Sequence, residues 1–288
     1  MIPDINYHMT PRCNMSCRFC FAHFKGVTEL KQSDSIYLVQ RIADYGFRKI
    51  NFVGGEPTLV PWLIKVLKEA RNYGLITSII TNGWNIERNW LDEHARYLDW
   101  IGISIDSLSP NTNKKLGRKV QGYKIPDIKT YLDSIDLIRE YDVKLKINTV
   151  VNRLNKNETF HKIITRGHPE KWKIFQVLII KDENMNAIDL SVNRNEFDSF
   201  ILRHSDLSSV TEIYPEYCDD MMGSYLIIDP SGRLVDNSQG KYQYSDCILD
   251  VGFQRALEQV RVSSEKFQRR QAPRKLQNIF TETISERR

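Results

Sequence analysis

Cysteine is scarce in this chain. There are five in 288 residues, and three of them, Cys13, Cys17 and Cys20, share one short loop. Cys218 and Cys247 are left over, too few and too far apart for a disulfide framework or a second cysteine cluster near the C-terminus. Long apolar runs are lacking as well: none approaches the roughly 18 residues a membrane span needs. The start, Met1-Ile2-Pro3-Asp4, has no basic stretch followed by an apolar one, so no secretory signal is expected. Repeats and low-complexity tracts are missing. Excess charge is small too: 41 Lys and Arg against 36 Asp and Glu leave +5. That balance falls short of a nucleic-acid footprint and suits a small polyanion such as a nucleotide. Free thiols suit a reducing cytoplasm, and 41% hydrophobic with 27% charged residues is the composition of an ordinary globular protein.

What is present is an alternation of strand-like and helix-like segments, the pattern of parallel βα units. Strands are expected at Ile5–Met9, Lys49–Val53, Ile76–Ile80, Trp100–Ile105, Lys144–Val151 and Lys173–Ile180. Helices are expected at Ser33–Tyr45, with Ser33 as N-cap and Gly46 as stop, at Trp62–Tyr73, at Pro126–Tyr141 and near Glu158–Thr165. Six strands with interleaved helices predict an α/β fold, an incomplete (β/α)6 barrel rather than an eightfold one, with sites at the edge where strands end. From about Asp182 the rhythm breaks, so residues 1–182 are read as the barrel core and 183–288 as a C-terminal extension covering the active site. Within it, Glu196–His204 and Phe253–Val260 read as helices. Tyr225–Asp229 and Leu234–Asn237 flank the turn Pro230-Ser231-Gly232, and the charged tail from Ser263 reads as an extended or mobile cover.

The loop Cys13-Asn-Met-Ser-Cys17-Arg-Phe-Cys20 carries the chemistry. A structural zinc needs a fourth protein ligand, whereas closely spaced thiolates hold iron–sulfur clusters. Three thiolates on a four-iron cluster leave one iron open, the mark of a reactive metal site. Asn14, Ser16 and Arg18 interleave the cysteines, which argues against three thiols filling a core. A second group, Gly54-Gly55-Glu56-Pro57, follows the second strand; its glycines permit close backbone approach and its carboxylate can accept from an ammonium group. Lys49, Lys146, Arg153, Lys171 and Lys173 lie in or beside successive strands, and a lysine turned into a barrel needs an anionic partner such as a phosphate.

The cysteine loop resembles the signature of the radical S-adenosylmethionine (SAM) enzymes. The resemblance implies a [4Fe-4S] cluster on Cys13, Cys17 and Cys20, with SAM chelated at the open iron and cleaved to a 5′-deoxyadenosyl radical. Phe19 matches the aromatic placed against adenine, Gly54, Gly55 and Glu56 the turn that contacts the SAM amino group, and Asn82, Ser104 and Arg118 positions that contact its ribose or carboxylate. More finely, the chain is similar to the viperins and their microbial relatives. Asn6-Tyr7-His8, Lys49-Ile-Asn-Phe52, Asp106-Ser107, Lys146-Ile147-Asn148, Val151-Asn152-Arg153, Trp172-Lys173 and Ser224-Tyr225-Leu226 carry that similarity. It implies conversion of a ribonucleoside triphosphate (CTP, UTP or GTP) to its 3′-deoxy-3′,4′-didehydro form: loss of the C4′ hydrogen to the radical, then loss of the 3′-hydroxyl as water. Asn6, Lys49, Lys146, Asn148, Arg153, Lys171, Lys173 and Tyr225 are the implied nucleotide contacts, with Tyr225 and Lys146 as catalytic candidates. An external electron donor of flavodoxin or ferredoxin type, a monomer, no nucleic-acid or membrane partner, and a part in defence against phage are also implied. Val53 and Lys171 depart from the animal members, which carry Ser and Arg there. The chain also lacks their N-terminal amphipathic helix and their terminal tryptophan, ending Glu286-Arg287-Arg288.

Two other readings compete. A radical enzyme of cofactor biosynthesis acting on GTP, or one that modifies peptides, usually carries a further C-terminal cysteine cluster, which Cys218 and Cys247 cannot supply. An RNA-binding zinc knuckle needs a ligand at wider spacing than His23 offers, and no aromatic stacking motif accompanies it.

Overall fold

Alternation of apolar residues along each strand decides which way the sheet curves. The structure, a computed structural model, describes residues 2–121 and 123–271. Six parallel strands stand side by side in chain order: β1 (Asp4–His8), β2 (Lys49–Val53), β3 (Ile76–Thr81), β4 (Trp100–Ser104), β5 (Lys144–Val151) and β6 (Lys171–Gln176). Ile5, Tyr7, Ile50, Phe52, Ile79, Ile101, Ile103, Ile147, Trp172 and Ile174 point to the helix side and form one fully buried core. The intervening residues, among them Asn6, His8, Val53, Ile80, Ser104, Asn148, Val150 and Phe175, line a cavity on the other face. This is a partial α/β barrel, with its helices outside and its polar residues within.

The segment after 182 does more than cover. β7 (Glu212–Glu216) extends the sheet in parallel beside β6. At the other edge β8 (Ile227–Ile228) pairs in parallel with β1, and β9 (Arg233–Asp236) and β10 (Gln243–Cys247) continue antiparallel. The sheet therefore runs β10-β9-β8-β1-β2-β3-β4-β5-β6-β7 and stays open.

Several boundaries differ from expectation, each for a local reason. The first helix is Gln32–Asp44 with Lys31 at its N-cap and no side-chain cap; Ser33 lies inside the helix and its hydroxyl turns to Asp34. The helix Ile128–Ile138 starts later than Pro126 because Asp127 and Thr130 form a reciprocal capping box. A second box, Asn193 with Glu196, starts the helix Arg194–Arg203 two residues early. β6 begins at Lys171 and ends at Gln176, since Leu178 and Ile180 leave the sheet to pack with Met221. Helices at Arg88–His94 and Pro110–Lys115 were not expected. Gly252, with φ 78°, breaks the helical backbone after a short turn from Ile248, so the last long helix starts at Phe253 as expected, and Ser264–Gln271, expected as an extended cover, is a further helix. The rest of the tail, including Glu286-Arg287-Arg288, lies outside the described residues.

Candidate active site

The cysteine loop follows β1 at the C-terminal edge of the barrel and is held by backbone bonds on two sides. Ser16 N and Arg18 N donate to Gly117 O and Leu116 O, at 3.2 and 2.9 Å. On the other side the turn after β2 docks against the loop's entry, with Gly55 N donating to Thr10 O and Glu56 N to Arg12 O, at 2.6 and 2.8 Å. A Cβ on Gly55 would stand 2.1 Å from Arg12 O. The absence of a side chain at these glycines is thus needed for two stretches of this chain to approach each other.

Cys13, Cys17 and Cys20 line one cavity of about 290 Å3, together with Phe19, Gly54, Gly55, Glu56, Asn82, Ser104 and Arg118. Among the described residues no three His, Cys, Asp or Glu side chains are placed to hold a single metal ion. A four-iron cluster takes each thiolate on a different iron, so its ligands stand apart, whereas zinc draws its ligands onto one centre. Burial pushes the Cys17 and Cys20 thiols up to about 12 and about 11. Such thiols ionise when a metal takes the charge. The donor set thus fits an iron–sulfur cluster.

Around the loop, polar side chains are fixed before any ligand arrives. Glu56 is buried, which raises its pKa, and it accepts from Thr58 N, Thr58 Oγ1, Thr81 Oγ1 and Asn82 N at 2.7–3.1 Å. Asn82 donates through Nδ2 to Asn14 Oδ1 at 2.7 Å, tying the end of β3 to the cysteine loop. Arg118, 3% exposed, donates to Asp106 Oδ2 at 2.5 Å and to Ser104 O at 2.6 Å, and its Nη1 lies 3.9 Å from Cys17 Sγ. Asp106 was noted in sequence but given no role; this buried pair sets where Arg118 points.

The lysines do not gather where strands end. Lys49, Lys144 and Lys171 open β2, β5 and β6 at the opposite end of the barrel, and all three ammonium groups lie over Trp100, 5.4–5.5 Å from its ring. Lys146 sits deeper and is buried; Gly102 on β4 makes room for it, since a Cβ there would lie 2.8 Å from Lys146 Cε. Lys146 forms no ion pair with a described carboxylate. Burial first, then Lys49, Lys173 and Lys171, push its pKa well below the ordinary 10.5. Arg153 stands apart: it is exposed at the far end of β5, its backbone N bonded to Leu190 O, and does not join this group. Asn148 leaves its Oδ1 without a partner beside the cavity, and Asn6 donates to Leu226 O at 3.2 Å.

One residue that sequence reasoning missed connects these parts. Glu216, the last residue of β7, is fully buried. It accepts from the Tyr225 hydroxyl, forms an ion pair with Lys173, and lies 4.0 Å from Arg270 Nη1. Lys173 Nζ in turn donates to Tyr225 Oη at 3.4 Å, and Arg270 stacks 3.4 Å over the Tyr225 ring. Burial pulls the Glu216 pKa up, but Lys173 and Arg270 outweigh it and hold the carboxylate below its usual range. No spacing rule links residues 173, 216, 225 and 270, so no local signal could have found the group.

The arrangement is a barrel with a thiol-lined mouth, a half-open lumen and a cationic floor. A model of the radical SAM superfamily matches residues 7–167. Among curated proteins, the S-adenosylmethionine-dependent nucleotide dehydratase of Flammeovirga pacifica is 42% identical over 275 residues, 93% of each chain. A protein of the same description from Lacinutrix mariniflava is 41% identical over 92% of this chain and 57% of its own length. The S-adenosylmethionine-dependent nucleotide dehydratase RSAD2 of Oncorhynchus mykiss is 34% identical over 88% of this chain and 75% of its own. Among solved structures, Streptococcus suis SuiB bound to S-adenosylmethionine superposes with a TM-score of 0.67 at 16% identity, over 81% of this chain and 59% of that one. The anSMEcpe protein with bound AdoMet does so with the same score and identity, over 93% and 79%. At those identities the likeness is one of fold.

Proposed function

The chain belongs to the radical SAM superfamily, and on that premise we propose that it is a nucleotide dehydratase that removes water from the sugar of a ribonucleoside triphosphate. The observation that carries the substrate class is Lys146: a buried ammonium with no described counter-ion, ringed by Lys49, Lys171 and Lys173, on the strand face that leads up to the cysteine loop. A phosphate chain is the polyanion that several converging lysines accommodate best.

Cys13, Cys17 and Cys20 would hold a [4Fe-4S] cluster, and with SAM bound it supplies a 5′-deoxyadenosyl radical. This chain's own residues do the rest of the positioning. Gly54, Gly55 and Glu56, held rigidly against the cysteine loop, with Phe19, Asn82, Ser104 and Arg118, form the wall that orients SAM. Asn6 and Asn148 face the lumen between that wall and the lysines, where a sugar would lie. Loss of the hydroxyl as water consumes one proton, and Lys146 Nζ and Tyr225 Oη are proton-bearing atoms on this stretch of wall. Burial serves the chemistry too, because water excluded from the lumen cannot compete for the phosphates or quench a radical.

Two electrons per turnover, one to release the radical from SAM and one to reduce the sugar after the hydroxyl leaves, are expected from an external flavodoxin- or ferredoxin-type donor, and a reducing cytoplasm suits the five free thiols. No helix among the described residues is long and apolar enough to cross a membrane. The test is anaerobic: reconstitute iron and sulfide, add dithionite, SAM and each ribonucleoside triphosphate in turn, and quantify 5′-deoxyadenosine. At least one triphosphate should raise its yield above SAM alone. If none does, the reading is wrong.

A further inference from the structure

Glu216 is a carboxylate in a site otherwise built to attract an anion. Its presence there calls for an account, since a negative charge under a lysine cluster weakens the field that a triphosphate feels. Its contacts supply one. Tyr225 Oη donates its proton to Glu216, and the same oxygen accepts from Lys173 Nζ at 3.4 Å, so both ends of the hydroxyl's bonding are fixed. Arg270 lies 3.4 Å above the Tyr225 ring, 4.0 Å from Glu216, and donates to Ser224 O at 3.1 Å, closing the remaining side. A phenol without such partners would rotate about its ring bond. Here it is held beside the cavity that Tyr225 itself helps to line.

Resting on the dehydratase reading, we propose that Glu216 is a positioning residue: its carboxylate fixes the Tyr225 hydroxyl and the Lys173 ammonium at the lumen wall where the nucleotide sugar and phosphates meet. Glu216 touches neither substrate nor cofactor in this scheme and acts through Tyr225 and Lys173. The charge sign makes the proposal separable from a simple binding role. Neutralising Glu216 removes a negative charge from the anion site, so triphosphate affinity holds or improves while turnover falls.

The test uses Glu216→Gln, Glu216→Asp, Tyr225→Phe and the double variant Glu216→Gln/Tyr225→Phe, all in the full chain with the reconstituted cluster. For Glu216→Gln, kcat for triphosphate-dependent 5′-deoxyadenosine should fall at least tenfold. The Kd for the triphosphate, measured calorimetrically on the same cluster-loaded protein without reductant, should stay equal or tighten. Glu216→Asp should recover part of the lost kcat, and the double variant should be slower than Tyr225→Phe alone by clearly less than the loss Glu216→Gln causes by itself, because Tyr225 is one of the two groups through which Glu216 acts. Three results would overturn the proposal: an unchanged kcat in Glu216→Gln, a Kd that weakens in step with kcat, or losses that multiply in the double variant. Should Glu216→Gln fail to fold by near-UV circular dichroism, Glu216→Asp decides: its shorter carboxylate keeps the charge but shifts the contact to Tyr225, so kcat should fall with Kd unchanged, and an unchanged kcat or a Kd that weakens in step overturns the proposal. A parent protein that no triphosphate stimulates would instead remove the dehydratase reading itself.

Discussion

Replacing Lys146 with methionine should make the protein more stable and bind substrate worse, a pair of effects with opposite signs and one cause. The ammonium is buried, has no described carboxylate partner, and has three further lysines acting on it. Methionine keeps the stem's volume next to Gly102 without the charge. The most the lysine can cost is the free energy of neutralising it, about 1.36 kcal/mol for each pH unit below 10.5. Residual water and the attraction of Glu216 reduce that ceiling, so a gain of about 1–3 kcal/mol is expected. At about 2–4 °C per kcal/mol this raises Tm by several degrees. The pH dependence fixes the sign. Between the lowered folded pKa and 10.5 the unfolded chain holds a proton that the folded one lacks, so the penalty shrinks as pH rises. The Tm advantage of Lys146→Met should therefore narrow between pH 7 and 10. Losing one charged contact to a phosphate should cost about 1.5–3 kcal/mol of triphosphate binding, or about 10- to 150-fold in Kd. Scanning fluorimetry across pH and titration calorimetry read both effects. A Lys146→Met protein that is less stable than its parent, or that binds triphosphate equally well, refutes the reasoning.

Other substitutions probe the frame. Gly55→Ala puts a methyl 2.1 Å from Arg12 O, so it should cost about 1–3 kcal/mol and lower the iron bound per chain, read by urea unfolding and iron assay. Cys218→Ala, which removes a thiol donating to Val177 O, should leave iron content unchanged, whereas Cys17→Ala should lose the cluster absorbance. His8 is held neutral by burial, its pKa lowered to about 3, so it opposes folding increasingly as pH falls from 6.5. His8→Phe should accordingly flatten the acid limb of the stability curve between pH 6.5 and 4 by close to one proton; an unchanged slope would show that other groups control it.

The parallel core was legible because its strands are short β-branched runs whose partners follow in sequence. β7 was not: Glu212-Ile-Tyr-Pro-Glu216 carries a proline and two charges, features that an edge strand tolerates and a central one does not. β8 has two residues and is specified by its neighbours rather than by pattern. The cysteine loop and the Gly-Gly-Glu turn were readable because their chemistry is local. Which end of the barrel the lysines occupy was not legible, since periodicity gives a strand's faces but not a residue's place along the barrel axis; Lys49 and Lys171 begin their strands. Arg153 shared their charge but not their place. Glu216, Arg270 and the pairing of Asp106 with Arg118 depend on contacts across the fold, and such contacts leave no trace in spacing.

The central claim, that a radical made at the cysteine loop acts on the sugar of a nucleotide held by the lysines, has a direct isotopic test. Supply the triphosphate deuterated at C4′, run a single anaerobic turnover, and analyse 5′-deoxyadenosine and triphosphate by mass spectrometry. The account predicts deuterium in 5′-deoxyadenosine and a triphosphate that has lost its deuterium together with one hydroxyl. Unlabelled 5′-deoxyadenosine, or a triphosphate of unchanged composition, would contradict it.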